Sequence, residues 1–404
     1  MAAFGGRETA RHRRGSERGG GGIVVLGAVA VAAGAGIYAA TRQTTTIPPT
    51  TTPPGGSGNP PSASDLALVQ QALASEGTQG WDAAANSGMG GVKVNWYLSR
   101  TGSQNLGHDQ GEDLRYLEAL TLYKAAQPAD TSLDADLAKI QPVVSSLFKT
   151  HGYDKSWAWV SLINLGWWDG AYSICKFWLS KIDPAVGIAH GPIITSTAAG
   201  APTIPDGYRV DAALQKACGM IVVGHHFNDT AMVAAGQRGL VTCKTQAFSS
   251  HYGMYARIVE NPASHPVIYD YQAKAGEQGQ NAWALAIAGQ TAAATALIDG
   301  MKSSGLHDTA NGGFFFVLHL DSGSVNTSYK EQGRCMTITR AAQLLGDTAL
   351  QAEMLQTARK SFQKGADAAG WVYQTTPTWG IYKNEDWVTS ESIALNSLAI
   401  LTAS

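Results

Sequence analysis

Acidic residues recur where a loop gives way to a helical pattern, and they are the residues of this chain best suited to acid–base chemistry. Two carboxyl groups on either side of a glycosidic bond can cleave it when one is protonated and the other is ionised. Acids in a first helical turn also stabilise the helix dipole, which is the simpler role for any one of them. The candidates are Asp109, Glu112 and Asp113 in GHDQGEDL, Asp206 and Asp211 in PDGYRVD, Glu331 in YKEQG, and Glu385, Asp386 and Glu391 in NEDWVTSES.

Aromatic residues stand beside several of these acids. The chain has 11 Trp, all between Trp81 and Trp387, and flat aromatic faces suit sugar rings as well as core packing. The combination of an acid with an aromatic neighbour is best at Glu331, which follows Tyr329. The predicted site has Glu331 as catalytic residue, Asp206, Asp109 or Asp386 as its partner in that order, and Tyr208, Tyr329, Trp387, Trp157 and Trp96 as substrate-binding residues.

Other kinds of site find little support. His225 and Asp229 share a helical face at i, i+4, but no third metal ligand accompanies them, so we predict no metal site. The sequence contains no Gly-x-Ser-x-Gly elbow, no phosphate loop ending in Gly-Lys-Ser/Thr and no dinucleotide fingerprint. We therefore expect no cofactor.

The elements that must position these acids are helical hairpins in series. The stretch NTSYKEQGRCMTITRAAQLLGDTALQAEM, from Asn326 to Met354, predicts two helices joined at Leu-Leu-Gly-Asp. The stretch before it, NGGFFFVLHLDSGSVN, reads as paired strands. Every second helix is expected to begin at intervals of roughly 40 to 70 residues, which predicts a ring or stack of αα-hairpins. These expected starts are near Glu112, Lys155, Gly207, Gln280, Tyr329 and Glu391.

Two of these hairpins resemble a known architecture. YKEQGRCMTITRAAQLLGDTALQ and SWAWVSLINLG are similar to hairpins of the six-hairpin (α/α)6 toroid glycosidases and their epimerase and lyase relatives. The resemblance would extend from Asp65 to Ser404. The paired aspartates of the α-mannanases are missing, since no Asp-Asp occurs in the sequence, so no individual family is assigned.

The resemblance implies a mainly α fold, an α/α toroid with a short β insertion, whose inner helices begin at one rim and line a cleft there. Glu331 would point into the mouth of that cleft, where burial would raise its pKa and suit it to the role of general acid. The implied activity is hydrolysis of a polysaccharide or oligosaccharide, with elimination and epimerisation as other reactions of such folds. The alternative is a non-catalytic domain of the same fold that binds a glycan or a protein.

The N-terminus predicts a membrane anchor. Residues 1–22 form a basic tail, and residues 23–40 are uncharged and long enough to span a bilayer as one transmembrane helix. The arginines before this segment favour the cytoplasm, which places the C-terminal domain outside. A cleaved signal peptide is the alternative. Residues 41–64 are a Thr/Pro/Gly-rich linker, and residues 65–404 are the predicted toroid domain.

The distribution of charge argues against nucleic acid as a partner. The formal net charge is −2 for the whole chain, yet residues 1–42 contain six Arg and only two acids. The remainder is therefore acidic and lacks the basic surface that nucleic-acid binding requires.

Four cysteines remain in the exported part: Cys175, Cys218, Cys243 and Cys335. An even number outside the cell permits two disulfides, and buried free thiols are the alternative. We expect at least one disulfide, with Cys218–Cys243 slightly favoured.

Overall fold

A computed structural model describes residues 61–97, 108–149, 155–194, 202–364, 369–384 and 387–402. The predicted basic tail and transmembrane segment lie outside these ranges, as does nearly all of the predicted linker. Among the described residues, no helix combines the length and the hydropathy needed to cross a membrane.

The described ranges contain twelve helices of seven residues or more, and they alternate between the outside and the inside of a ring. The segment Ala85–Gly88 is not counted, because Asn86 and Ser87 there have φ values of 50° and 58°. The helices are α1 (Ala63–Thr78), α2 (Gln110–Ala126), α3 (Asp134–Lys149), α4 (Ala158–Asn164), α5 (Trp168–Leu179), α6 (Val210–His226), α7 (Thr230–Ala247), α8 (Ala275–Ile287), α9 (Thr291–Ser303), α10 (Thr337–Leu345), α11 (Thr348–Ser361) and α12 (Ser390–Thr402).

The even-numbered helices form the inner wall. In α8 every residue from Ala275 to Leu285 is buried, which is expected of a helix covered on all sides. The odd-numbered helices bury one stripe each, as α11 does with Leu350, Met354 and Ala358. Neighbouring inner helices pack in the order α2, α4, α6, α8, α10, α12 and back to α2. The ring of hairpins predicted from the sequence is therefore confirmed.

The hairpin of α10 and α11 has the predicted turn but a later start. Gly346 has φ 74° and ends α10, and Asp347 caps α11 by accepting a hydrogen bond from the Leu350 N–H at 3.0 Å. The first helix was expected near Tyr329, but it begins at Thr337. Gly333, with φ 79°, forms a turn that separates the strand Lys330–Glu331 from the helix.

Seventeen short strands form seven small sheets among the described residues. The strands are β1 (Trp81–Asp82), β2 (Gly91–Val92), β3 (Asn95–Tyr97), β4 (Gly191–Ile194), β5 (Thr203–Arg209), β6 (Phe248–Ser249), β7 (Met254–Tyr255), β8 (Ile258–Glu260), β9 (Val267–Asp270), β10 (Gln272–Lys274), β11 (Val317–His319), β12 (Val325–Asn326), β13 (Lys330–Glu331), β14 (Phe362–Lys364), β15 (Ala369–Trp371), β16 (Gln374–Thr375) and β17 (Trp387–Thr389).

The described residues contain more β structure than the one short insertion that the sequence predicts. The predicted pair exists, since β11 and β12 are antiparallel with Val317 opposite Asn326. However, the largest sheet has four strands in the order β4-β5-β8-β9, and β5, β10 and β17 run directly into α6, α8 and α12. The starts of these three inner helices are therefore held in place by sheets.

The cysteines do not form the expected disulfide. All four are free and buried, with Cys218 on α6 and Cys243 on the neighbouring α7. Burial raises the pKa of Cys243 to about 12, as expected of a thiol in an apolar core. The alternative of buried free thiols describes this structure.

Candidate functional site

The N-terminal ends of the inner helices meet at one rim, and four of these helices carry an acid in the first turn. The acids are Glu112 on α2, Asp211 on α6, Glu277 on α8 and Glu391 on α12. Each is less than a tenth exposed. Burying an ionised carboxylate is costly unless it is paired, and at this rim arginines provide the pairing.

The first charged cluster is a chain of three glutamates joined by two arginines: Glu331, Arg334, Glu391, Arg115 and Glu112. Arg115 Nη1 donates to Glu391 Oε1 at 2.5 Å and to Glu112 Oε1 at 3.3 Å. Arg334 Nε donates to both oxygens of Glu391 at 3.0 and 3.1 Å, and lies 3.9 Å from Glu331 Oε1. Glu391 is thus the shared centre of the cluster.

The environments in this cluster push the pKa values apart. Burial, together with the negative charge of Glu391, raises the pKa of Glu112 to about 7 in spite of Arg115. Burial also favours a raised pKa at Glu391, but Arg334 and Arg115 lower it to about 2. Burial raises the pKa of Glu331, which accepts a hydrogen bond from Tyr373 Oη at 3.1 Å. A central ionised carboxylate therefore has a group of raised pKa on each side.

The second charged cluster repeats this arrangement with other residues: Asp211, Arg209, Glu277, Arg257 and Asp270. Arg209 Nη2 donates to Asp211 Oδ2 at 2.8 Å and to Glu277 Oε1 at 3.1 Å. Arg257 Nη1 donates to Asp270 at 3.1 Å, and its Nε lies 3.5 Å from Glu277. Burial and the negative Asp211 raise the pKa of Glu277 to about 7.

The order of the inner helices places Glu112 and Glu391 across the ring from the second charged cluster, whereas Arg334 lies beside Gly276 at the start of α8. In a ring of six, α2 lies opposite α8 and α12 lies opposite α6. Glu112 and Glu391 therefore face the helices of Glu277 and Asp211. Trp157, directly before α4, stands between the clusters on one side, and the guanidinium of Arg115 lies 3.6 Å from the centroid of its ring.

A cavity continues from this rim along the axis of the toroid. Its empty volume is about 370 Å³, including space open to solvent. The buried indole nitrogens of Trp159 and Trp283, which line it, have no hydrogen-bond partner among the described residues. The cavity is lined by Arg115, Glu118, Trp157, Trp159, Val160, Ser161, Gln215, Gln280, Trp283, Ala284, Leu395 and Leu398.

Glu331, the predicted catalytic residue, lies at the rim as expected and is buried, with a raised pKa. Its carboxyl group accepts a hydrogen bond from Tyr373, and it belongs to β13 rather than to a helix.

The predicted partners of Glu331 are not brought to it. Asp206 lies on β5 and pairs with His190 Nδ1 at 2.5 Å. Asp109 is the N-cap of α2, accepting from the Gly111 N–H at 2.8 Å and from Lys155 Nζ at 2.6 Å. Asp386 lies outside the described residues. The carboxylate that shares Arg334 with Glu331 is Glu391, which the sequence placed only among the wider candidates.

The predicted aromatic residues have different positions. Trp157 lines the cavity, and Tyr329 belongs to a stack of rings at the rim. Tyr208 is 3% exposed and so lies in the core, out of reach of a substrate. The backbones of Trp96 and Trp387 lie in the paired strands β3 and β17.

Six residues of the two clusters were missed: Glu277, Asp270 and the arginines Arg115, Arg209, Arg257 and Arg334. Glu277 escaped notice because its helix was expected near Gln280, after the acid, whereas α8 begins at Ala275. The four arginines were missed because only acids were considered, and Asp270 because it lies at the end of β9 rather than at a helix start. The signal was available in the spacing, since Arg115 follows Glu112 by one helical turn and Arg334 follows Glu331 by three residues.

Solved structures of low sequence identity share this architecture. D-mannose isomerase matches with a TM-score of 0.61 at 11% identity, covering 85% of this chain and 97% of the isomerase. Cellobiose 2-epimerase from Bacillus thermoamylovorans matches with a TM-score of 0.60 at 9% identity, covering 84% and 99%. Unsaturated glucuronyl hydrolase from Bacillus sp. GL1 matches with a TM-score of 0.56 at 10% identity, covering 83% and 94%.

No protein-family model matches the sequence, and neither does any curated protein. The chain is similar to these structures over nearly the whole of their length, and it has the (α/α)6 toroid fold that they share. The fold inferred from the sequence is therefore confirmed.

Proposed function

We propose that this protein is a carbohydrate-active enzyme, a glycoside hydrolase whose active site is the first charged cluster. The observation that supports the proposal most strongly is that Arg115 Nη1 donates to two glutamates, one with a raised pKa and one with a lowered pKa. At neutral pH Glu112 retains a proton in a large fraction of molecules, whereas Glu391 is ionised. Glycoside cleavage requires one carboxyl group in each state.

The roles follow from these states. Glu112 donates a proton to the leaving oxygen, and Glu391 acts on the opposite side of the scissile bond. Because both contact one nitrogen, their bonded oxygens lie less than about 6 Å apart, a spacing closer to that of retaining than of inverting enzymes. We therefore propose that Glu391 is the nucleophile and that the anomeric configuration is retained.

The acid role moves from Glu331 to Glu112 in this proposal. The side chain of Glu331 is 4% exposed and that of Glu112 is 10% exposed. In addition, Glu331 Oε1 accepts a hydrogen bond from the Tyr373 hydroxyl, while the described residues give the Glu112 carboxyl group hydrogen bonds from Arg115 alone. Glu331 is assigned to positioning Arg334, which contacts Glu391.

A non-catalytic binding domain is the second candidate. It is favoured by the extent to which the rim carboxylates are neutralised, since Glu391 and Asp211 each make a close pair with an arginine. A stable, charge-balanced rim would suit a glycan- or protein-binding surface as well as a reaction centre.

The hydrolysis test uses the full-length protein and a panel of polysaccharides, with release of reducing ends as the readout. Cleavage by the native chain and its loss in Glu112→Gln support the proposal, and NMR of the first-formed anomer tests retention. Binding without cleavage across the panel would support the second candidate. An epimerised product in place of new reducing ends would replace hydrolysis by epimerisation.

We also propose that the domain is tethered outside the cell membrane by residues 23–40. The support is the uncharged segment that follows five arginines and precedes a Thr/Pro-rich linker. Protease added to intact cells should cut the linker and release a soluble domain. Recovery of the whole protein from the cytosol would refute the tether.

A further inference from the structure

Three aromatic rings form a stack at the rim, which we call the aromatic ladder: Phe316, Tyr329 and Tyr382. The ring centroids of Phe316 and Tyr329 are 4.7 Å apart with an interplanar angle of 25°. The centroids of Tyr329 and Tyr382 are also 4.7 Å apart, at 32°. All three side chains are partly exposed, so the ladder offers apolar edges and faces to a ligand.

A lysine stands at each end of the ladder. Lys274 Nζ lies 5.2 Å from the Phe316 centroid, and Lys383 Nζ lies 5.1 Å from the Tyr382 centroid. Neither ammonium group has a hydrogen bond or an ion pair with another side chain in the part of the chain that the structure describes. Aromatic contacts offset little of the cost of keeping a cation half-buried, as Lys274 is.

The ladder is continuous with the two charged clusters. Lys274 immediately precedes α8 and stands three residues before Glu277, and Tyr329 stands two residues before Glu331. The carbonyl of Phe316 accepts the Ala275 N–H at 2.9 Å, which fixes the ladder to the first residue of α8. Arg334 also lies on this side of the rim. Its Nε donates to Glu391, and its terminal amino groups bond to no described residue.

We infer that the aromatic ladder, with Lys274 and Lys383, is a binding subsite for an acidic glycan whose anionic groups are spaced along the chain. Sugar rings would lie against the aromatic side chains, and the anionic groups would reach the two ammonium groups. The inference rests on the proposed function, since it places this chain beside the reaction centre. An acidic ligand is indicated because neither ammonium group forms a hydrogen bond or an ion pair with a described side chain, and Lys274 has only the longer-range attraction of Glu277 and Glu331.

The shared chemistry of the ligand is an anion on a sugar, which carboxylates and phosphates both provide. Binding to the full-length Glu112→Gln variant avoids turnover, and the probes are an oligogalacturonate, its carboxyl-reduced neutral counterpart and a phosphorylated manno-oligosaccharide. We expect the acidic probes to bind at least tenfold more tightly than the neutral one, with an advantage that falls as salt rises. The ratio between the two acidic probes identifies the anion. Equal affinity for all three probes would overturn the inference.

Single variants locate the subsite. Lys274→Met and Lys383→Met should each weaken binding of the preferred acidic probe about five- to tenfold and leave the neutral probe unaffected, since one charge-assisted contact is lost. Tyr329→Leu should weaken both probes alike. Lys181→Met is the matched control, because Lys181 Nζ also lies over an aromatic ring, 5.6 Å from the centroid of Phe177. Phe177 lies on outer helix α5 and Lys181 follows its end, so this pair is not at the rim.

Unchanged binding of the acidic probe in both Lys274→Met and Lys383→Met would refute the subsite, even if the protein proves to be a hydrolase. Conversely, lysine-dependent binding of an acidic probe that the native protein never cleaves would retain the subsite and refute the hydrolase. The two proposals therefore fail by different measurements.

Discussion

Glu112 and Glu391 accept hydrogen bonds from the same atom, Nη1 of Arg115, at 3.3 and 2.5 Å. One donor thus holds two carboxyl groups at a fixed spacing, while their other surroundings differ. Among the described residues, Arg334 Nε donates to Glu391 and not to Glu112, and so the second positive charge lowers the pKa of Glu391 more than that of Glu112. Titratable neighbours whose environments separate their pKa values are a recurrent means of assigning an acid and a base at one pH.

Replacing the proposed acid should abolish most of the activity. We expect Glu112→Gln to lower kcat by roughly 10²- to 10⁴-fold, the contribution of a positioned proton donor, while circular dichroism stays unchanged because the amide is nearly isosteric. Asp109→Asn is the control, since Asp109 lies three residues earlier, where it caps the helix and pairs with Lys155. Full activity in Glu112→Gln would remove Glu112 from the mechanism.

Removing the shared arginine should destabilise the fold. In Arg115→Met, Glu391 stays buried with one arginine fewer, and breaking a buried pair costs about 3–5 kcal/mol. Chemical denaturation at pH 7 measures this loss in the free energy of unfolding. The control is Lys124→Met, which breaks the more exposed pair of Lys124 and Asp134 and should cost about 1 kcal/mol or less. Equal losses in the two variants would contradict a buried, coupled cluster.

The buried glutamates should make stability depend on pH. Burial raises the pKa of Glu277 to about 7 from an ordinary value of 4.5. Its stabilising contribution is therefore complete below pH 4.5 and is lost as the pH rises through 7, because the folded state then binds more protons than the unfolded one. Between pH 5 and pH 8, the free energy of unfolding of Glu277→Gln should therefore rise by about 2–3 kcal/mol relative to that of the native protein. The exposed Asp299→Asn should show no such difference, and identical pH profiles for Glu277→Gln and the native protein would refute the assignment.

The sequence predicted the hairpins well because helical periodicity and glycine turns are local signals. Leu-Leu-Gly-Asp correctly gave the turn at Gly346, and the loop before Tyr329 correctly gave the pairing of β11 with β12. The site was predicted less well because the contacts that hold it together join residues far apart in the sequence. Arg115 and Glu391 are 276 residues apart, and no local pattern shows that α2 and α12 close the ring side by side.

The burial of particular acids was equally invisible in the sequence. Asp206 and Asp211 stand five residues apart and looked alike, yet β5 carries Asp206 to His190 while α6 begins just before Asp211. A difference of one strand-to-helix junction decides which of the two reaches the rim.

The glycine of the Leu-Leu-Gly-Asp turn can be tested directly. Gly346 has φ 74°, and a Cβ there would meet no atom within 4 Å, so any cost is conformational rather than steric. Gly346→Ala should lower the free energy of unfolding by about 1 kcal/mol, because L-residues other than Asn and Asp avoid this region. Gly346→Asn should cost less than Gly346→Ala. A more stable alanine variant in thermal unfolding would contradict this backbone conformation.

Glu331 provides the sharpest test of the assignment within the first charged cluster. Its carboxyl group reaches Glu391 only through Arg334, with 3.9 Å between Arg334 Nε and Glu331 Oε1, and it receives the Tyr373 hydroxyl. If Glu331 positions Arg334, then Glu331→Gln keeps the hydrogen-bond geometry and kcat should fall less than tenfold. The pH–rate profile should shift, because a buried neighbour of raised pKa no longer titrates beside Glu391. Glu112→Gln assayed in parallel is the matched comparison, with its expected loss of a hundredfold or more. The reverse result, a large loss in Glu331→Gln and a small one in Glu112→Gln, would return the acid role to Glu331 and leave Glu112 as a buried partner of Arg115.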